Sequence, residues 1–266
     1  MSFTFQSAGL VHGDGRRALA PLDLAVGRGE CVVLIGPSGA GKTSLIRLAG
    51  AAVRPSEGRL RVLDTDPWAA SAGALRQLRA RIGVVHQSAP IPGRSRLITA
   101  VLAGRLGRWS LARALASLVY PSYIPGAHAA LARVGLGERL FDRCDRLSGG
   151  QLQRVGVARS LYQQPDLLFA DEPVASLDPV TGEAVIRALV DDARARGTTL
   201  VTALHAVDLA LKYFPRVVGL RAGAVMFDLP AGRVTPALLA ELYEGDTSDE
   251  SYAAAEPQMR QPAVAA

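Results

Sequence analysis

The sequence predicts an α/β protein: a parallel sheet at its centre, an antiparallel β portion beside it, and an inserted all-helical segment. Three observations predict it. Cys31–Ile35, Ile82–Val85 and Leu167–Ala170 are short unbroken apolar runs, too short for helices and suited to strands buried on both faces. From Leu167 to Leu204 strand and helix alternate, as a parallel core requires. From Ser88 to Arg146 strand signals stop and helical spacing replaces them.

Each element follows from local pattern. Phe3–Leu10 alternates loosely and reads as an edge strand, ended by the turn Gly13-Asp14-Gly15. Leu22–Val26 alternates again, and Gly27–Gly29 turns the chain into the buried run Cys31–Ile35. A glycine loop leads to a helix over Thr43–Gly50, and Gly58–Asp64 reads as an outer strand. The run Ile82–Val85 leads out to Gln87. Beyond it, Ile98–Leu106, Ser110–Val119 and Ala127–Val134 have helical spacing, broken by Pro90, Pro92, Pro121 and Pro125. A helix over Leu152–Gln163 precedes the run Leu167–Ala170. Helix Pro179–Arg196, strand Thr199–Leu204 and a hairpin over Val217–Leu229 with its turn at Arg221-Ala222-Gly223 complete the core. Asp246–Ala266 is small, acidic and proline-containing, and reads as a flexible tail.

Composition narrows the class. Of 266 residues, 49% are hydrophobic and 20% charged, which excludes a disordered or collagen-like chain. Two cysteines, Cys31 and Cys144, make no disulfide framework and fit a reducing cytosol. Met1–Leu10 lacks the basic and apolar regions of a secretory signal. The longest uncharged stretch, Ala114–Ala132, is interrupted by prolines, glycine and polar residues, so no transmembrane helix is expected. The net charge of +6 is almost wholly arginine, spread along the chain without a basic block, so nucleic acid is not an expected partner. The only lysines are Lys42 and Lys212, and one of them lies inside the glycine loop.

That loop, Gly36-Pro37-Ser38-Gly39-Ala40-Gly41-Lys42-Thr43, matches G-x-x-x-x-G-K-[ST] between a buried strand and a helix. Its glycines let several backbone N–H groups point at one anion, and the helix N-terminus adds positive charge. Lys42 would reach β- and γ-phosphates, and the Thr43 hydroxyl would ligate Mg²⁺. The acidic counterpart is Asp171-Glu172 at the C-terminal end of Leu167–Ala170. Asp171 can hold the Mg²⁺ shell and Glu172 can polarise water as general base. A second anion site is predicted where Ser148, Gly149, Gly150 and Gln151 open a helix. One nucleotide does not easily use both helix N-termini of a single chain. Two copies placed head to tail do, which predicts a homodimer holding two ATP.

In order and spacing the chain resembles an ATP-binding-cassette ATPase from Phe3 to Tyr243. The resemblance implies a P-loop NTPase fold: a RecA-like parallel core with an antiparallel β subdomain, formed by 1–87 and 164–245, and a helical signature subdomain over 88–163. It implies that Gly36–Thr43, with Ser44 beside them, hold the phosphates, and that Leu147–Gln151 is the signature. It makes Glu172 the catalytic glutamate, and gives Gln87 contact with Mg²⁺ and water. His205 would hold the γ-phosphate and orient the attacking water, and Asp178 would couple the two sites. The position that stacks on adenine falls on His12, a smaller platform than the usual aromatic residue. A single cassette without membrane helices fits a separate importer subunit. It would sit on the cytoplasmic face of the cell membrane, docked on an integral-membrane permease served by an extracytoplasmic solute-binding protein. The stretches 101–110, 170–179 and 218–223 resemble the ATPase subunit of phosphonate importers, whereas Ser88–Ala100 departs from it. Import of another small solute, such as a phosphate- or phosphite-like anion, and a soluble nucleic-acid-associated cassette are the alternatives.

Overall fold

The computed structural model describes residues 1–119 and 123–244, so the expected tail 246–266 lies outside the described residues. Among the described residues nine strands form two sheets. β1 (Phe3–Val11), β2 (Arg17–Val26) and β4 (Glu57–Val62) make a three-stranded antiparallel sheet in the order β2-β1-β4. β3 (Cys31–Ile35), β5 (Ile82–Val85), β6 (Leu167–Asp171), β7 (Thr199–Ala203), β8 (Arg216–Arg221) and β9 (Ala224–Pro230) make the larger sheet, in the order β5-β6-β7-β3-β8-β9. All of its pairings are parallel except the closing hairpin of β8 with β9.

Every residue of β3, β6 and β7 is buried, which explains their lack of alternation. The pleat sends alternate residues to opposite faces, and each face has its own core. Val33 and Ile35 pack with Val155, Leu161 and Leu189 on the helical side. Val32 and Leu34 pack with Phe3, Phe5 and Leu45 on the other side.

The structure corrects the edge-strand expectation for Phe3–Leu10. β1 is the central strand of its sheet: Phe3 lies opposite Val26 on one side and Val62 on the other. Register shifts between Phe5 and Ala8, and again between Ala8 and Leu10, break the two-residue period. The loose alternation is the mark of these bulges in a doubly paired strand.

The helices are α1 (Lys42–Ala49), α2 (Ala72–Ala80), α3 (Leu97–Leu102), α4 (Leu111–Val119), α5 (Ile124–Ala132), α6 (Gly149–Gln163), α7 (Pro179–Arg196), α8 (Val207–Tyr213) and α9 (Pro236–Tyr243). Between β5 and β6 the chain runs through α3, α4, α5 and α6, with α3 and α5 packed on α6. The helix expected over Ile98–Leu106 stops at Leu102 and tightens into a 3₁₀ turn over Ala103–Arg108. There Gly104 lies against α6, where a Cβ would come within 2.5 Å of the Arg159 carbonyl oxygen. Among the described residues no helix is long and apolar enough to cross a membrane.

Candidate functional site

The buried strand β3 drives the chain straight to the loop at Gly36, and α1 begins six residues later at Lys42. Gly36 has φ of 144°, and a Cβ on it would stand 2.0 Å from the Leu220 carbonyl oxygen, so only glycine fits. Its N–H donates to the Tyr243 hydroxyl at 3.2 Å, tying the loop to α9. Gly41, at φ of 104°, precedes α1 and offers no side-chain cap. The first N–H groups of α1 are therefore open to an anion. Lys42 is 5% exposed, and its ammonium curls back over the loop, donating to the carbonyls of Gly36 and of Pro37, the latter at 3.0 Å. A cleft of about 180 Å³ opens here, lined by His12, Arg16, Arg17, Ala18, Ser38 to Ser44 and Glu172.

At the back of the loop the Thr43 hydroxyl donates to Asp171 Oδ1 at 3.1 Å. Burial pushes the Asp171 carboxyl above the usual aspartate range, and the Thr43 bond opposes that rise. One hydroxyl and one carboxylate are hard oxygen donors. They suit Mg²⁺, which completes its shell with phosphate and water oxygens.

The next residue changes direction. Glu172 has a left-handed backbone with φ of 49°, unusual for glutamate, and its N–H donates to the Ala203 carbonyl. Its carboxylate accepts a bond from Gln87 Nε2 at 2.7 Å and meets His205 Nε2 at 2.6 Å. The His205 bond, more than any other cause, holds the Glu172 carboxyl below the usual glutamate range. Gln87 from the end of β5, Glu172 from the end of β6 and His205 from the end of β7 thus form one hydrogen-bonded line. Three parallel strands deliver it at their C-terminal ends. Such a line can hold an ionised base beside the phosphate loop.

The fourth expected element stands apart. Ser148 caps α6 with its Oγ, accepting from Gln151 N at 3.2 Å, while Gln151 Oε1 accepts from Ser148 N at 3.1 Å. Ser148 and Gly149 are exposed, and none of Ser148, Gly149, Gly150 and Gln151 lines the cleft at the lysine loop. Gly150 lies under the 176–177 segment, where a Cβ would meet the Ser176 carbonyl oxygen at 2.6 Å. Asp178 caps α7, accepting from Thr181 N at 2.9 Å. Of the residues named from sequence, the loop, Asp171, Glu172, Gln87, His205 and His12 come together, and the signature and Asp178 do not join them within one chain.

Sequence reasoning missed Gln153. It is 2% exposed, donates from Nε2 to the Glu172 carbonyl at 2.8 Å and accepts at Oε1 from Ser176 N at 3.2 Å. It straps α6 to the segment that leaves β6. Its only sequence signal is a glutamine two residues beyond the signature string. Arg16 and Arg17 belong to the charge that the sequence spreads along the chain, yet both line this cleft.

The family model described as ABC transporter matches residues 19–175. The chain is 58% identical to phosphonates import ATP-binding protein PhnC 1 of Cupriavidus necator, covering 93% of this chain and 89% of the relative. It is 56% identical to phosphonates import ATP-binding protein PhnC 2 of Pseudomonas aeruginosa, covering 97% of each. Among solved structures, the dimeric ATP-binding cassette MJ0796 bound to ADP and Pi matches with a TM-score of 0.74. It is 26% identical, over 86% of this chain and 98% of that one.

Proposed function

The chain belongs to the ABC transporter family of ATP-binding proteins, and from that membership we propose that it is the ATP-hydrolysing subunit of a bacterial phosphonate importer. The observation that carries the hydrolytic reading is the line Gln87–Glu172–His205 beside the lysine loop. The names shared by relatives at 54–58% identity support the transported class.

In this reading the cassette works as a homodimer. The loop Gly36–Thr43, with Ser44, cradles the phosphates of ATP, and Lys42 leaves its loop carbonyls for phosphate oxygens. Thr43 and Asp171 would hold Mg²⁺, with Gln87 beside them; bound there, the ion neutralises phosphate charge. His12 offers its ring to adenine. Ser148, Gly149, Gly150 and Gln151 of the partner copy close the site, because in one chain they lie outside the cleft. Glu172 accepts a proton from the attacking water, and the His205 bond keeps it ionised and aimed. Asp178 sits where the two copies meet and couples their sites. Residues 1–87 and 164–245 form the nucleotide-binding core, and 88–163 the helical subdomain. The permease docks at the boundary of the two near Gln87, on the cytoplasmic face of the membrane, and an extracytoplasmic solute-binding protein feeds it. Closure of the dimer shifts the permease between two states.

Glu172→Gln should bind ATP yet fail to hydrolyse it, giving a dimer on sizing chromatography with Mg-ATP; a profile that stays monomeric sinks the composite site. Turnover in vesicles containing permease and binding protein should rise with a phosphonate and not with phosphate or phosphite. The reverse order would reassign the solute.

A further inference from the structure

One cation in the cleft at the lysine loop is left over once the others are placed. Among the described residues Arg16, Arg17 and Lys42 line that cleft. Lys42 donates to loop carbonyls, and Arg17 is paired with Glu57. Arg16 is exposed, and no ion pair or side-chain hydrogen bond among the described residues engages its guanidinium. Glu172, the acid on the cleft wall, is already engaged by Gln87 and His205. The open cleft therefore holds a positive charge that no described carboxylate pairs.

The backbone fixes where that charge stands. His12 N–H donates to the Arg16 carbonyl and Gly15 N–H to the His12 carbonyl, both at 2.9 Å, closing a tight turn between β1 and β2. Gly15 takes the left-handed backbone that the turn needs, with φ of 84°. Asp14 Oδ1 accepts from Arg16 N at 3.0 Å, so this carboxylate holds the turn's backbone. The turn sets His12 and Arg16 side by side on the cleft wall. β2 is in turn clamped to the phosphate loop. Ala20 N–H donates to the Gly223 carbonyl at 2.9 Å, and Gly223 N–H donates to the Ala40 carbonyl at 3.0 Å. A Cβ on Gly41 would come within 2.9 Å of the Ala18 carbonyl oxygen, two residues beyond Arg16.

We propose that Arg16 binds the α-phosphate of the nucleotide; this rests on the nucleotide reading of the cleft and adds a residue to it. A nucleotide with its base on His12 and its terminal phosphates at Lys42 runs its α-phosphate along the wall between them. The loop N–H groups and Lys42 serve the β- and γ-phosphates, and the phosphate nearest the base has no cation of its own. A guanidinium offers paired N–H donors that match phosphate oxygens. Stacking on the base is the poorer use of this side chain, because it leaves the charge unspent and the neighbouring His12 ring already serves the base. The charged contact also offsets the smaller stacking area that imidazole gives adenine.

The test is equilibrium binding of ATP, ADP and GTP to the full chain by calorimetry, with AMP measured by competition, at low salt and in about 0.5 M NaCl. Arg16→Ala should weaken all four at low salt by about fivefold, the scale of a partly exposed ion pair. High salt should shrink the loss to less than about twofold. Arg16→Lys should recover most of the affinity, and Arg16→Glu should bind more weakly than the alanine variant. The melting temperature without nucleotide should stay within about 1 °C of the parent, because Arg16 is exposed and its side chain holds nothing. A loss that spares AMP moves the contact to a phosphate further out. A loss for adenine nucleotides that spares GTP and is not rescued by lysine assigns the guanidinium to the base. Unchanged affinities remove Arg16 from the site. Each of these three overturns the proposal and leaves the nucleotide reading standing; a parent chain that binds none of the nucleotides overturns both.

Discussion

Replacing Gln153 with leucine keeps the side-chain volume and removes both of its hydrogen bonds. The Glu172 carbonyl loses its donor at 2.8 Å, and the Ser176 N–H loses its acceptor at 3.2 Å. Ser176 is exposed, so water replaces the lost acceptor. The carbonyl of half-buried Glu172 is less easily rehydrated, and an unsatisfied buried group costs about 2 kcal/mol. In a chain of this size that lowers the melting temperature by about 4–8 °C. The bond also holds Glu172 in its left-handed turn, so the carboxylate should lose its aim at water while the phosphate loop stays intact. The expected kinetics are a fall in kcat of at least about tenfold with KM for ATP within about twofold. Gln153→Glu is the sharper control, because it keeps an acceptor for Ser176 but sets an anion against the Glu172 carbonyl; it should be no better than leucine. A leucine variant that melts within about 1 °C of the parent and retains its kcat refutes the strap.

Gly36→Ala forces a Cβ to 2.0 Å from the Leu220 carbonyl oxygen at a left-handed backbone. It should cost more than about 2 kcal/mol and abolish ATP binding in calorimetry; normal binding would refute the fit. Ser148→Ala removes the α6 cap bond at a cost of about 1 kcal/mol, measurable by urea titration. It should leave nucleotide binding by the monomer intact but cut ATPase activity; weakened monomer binding would argue against a site completed in trans. Burial pushes the Cys31 and Cys144 thiols above the ordinary cysteine value, and Asp145 adds to the rise at Cys144. Both should therefore alkylate far more slowly in the native chain than in urea. A raised folded pKa contributes stability that is complete below the unfolded thiol value and is lost above it, so the urea midpoint should decline above about pH 8.5. Rapid native labelling would contradict this burial.

The parallel core was legible because β3, β6 and β7 are buried at every position and the loop between β3 and α1 carries a mechanism in its spacing. What escaped was set by distant partners. β1 reads as an edge because its bulges erase alternation. α8 begins without a side-chain cap, so only Asp208 in its first turn marks its start. α9 does carry a signal, Thr235 as cap with Pro236 behind it, in a stretch of only eight residues. Gln153 is a polar residue buried on α6, as Ser160 is, and its partners lie 19 and 23 positions further along the chain. The left-handed turn at Glu172 cannot be foreseen from glutamate, which disfavours it.

Tyr243 stands almost at the end of the described chain, yet its hydroxyl receives the first N–H of the phosphate loop. Arg221 fastens the same helix by donating to the carbonyls of Glu241 and Glu244. A stop codon or protease cut before α9 therefore acts on a motif two hundred residues upstream, while one beyond Glu244 spares all three clasps. At the opposite terminus Ser2 is buried, bonded through its hydroxyl to Thr199. The shortest fragment worth expressing therefore retains both Ser2 and Glu244.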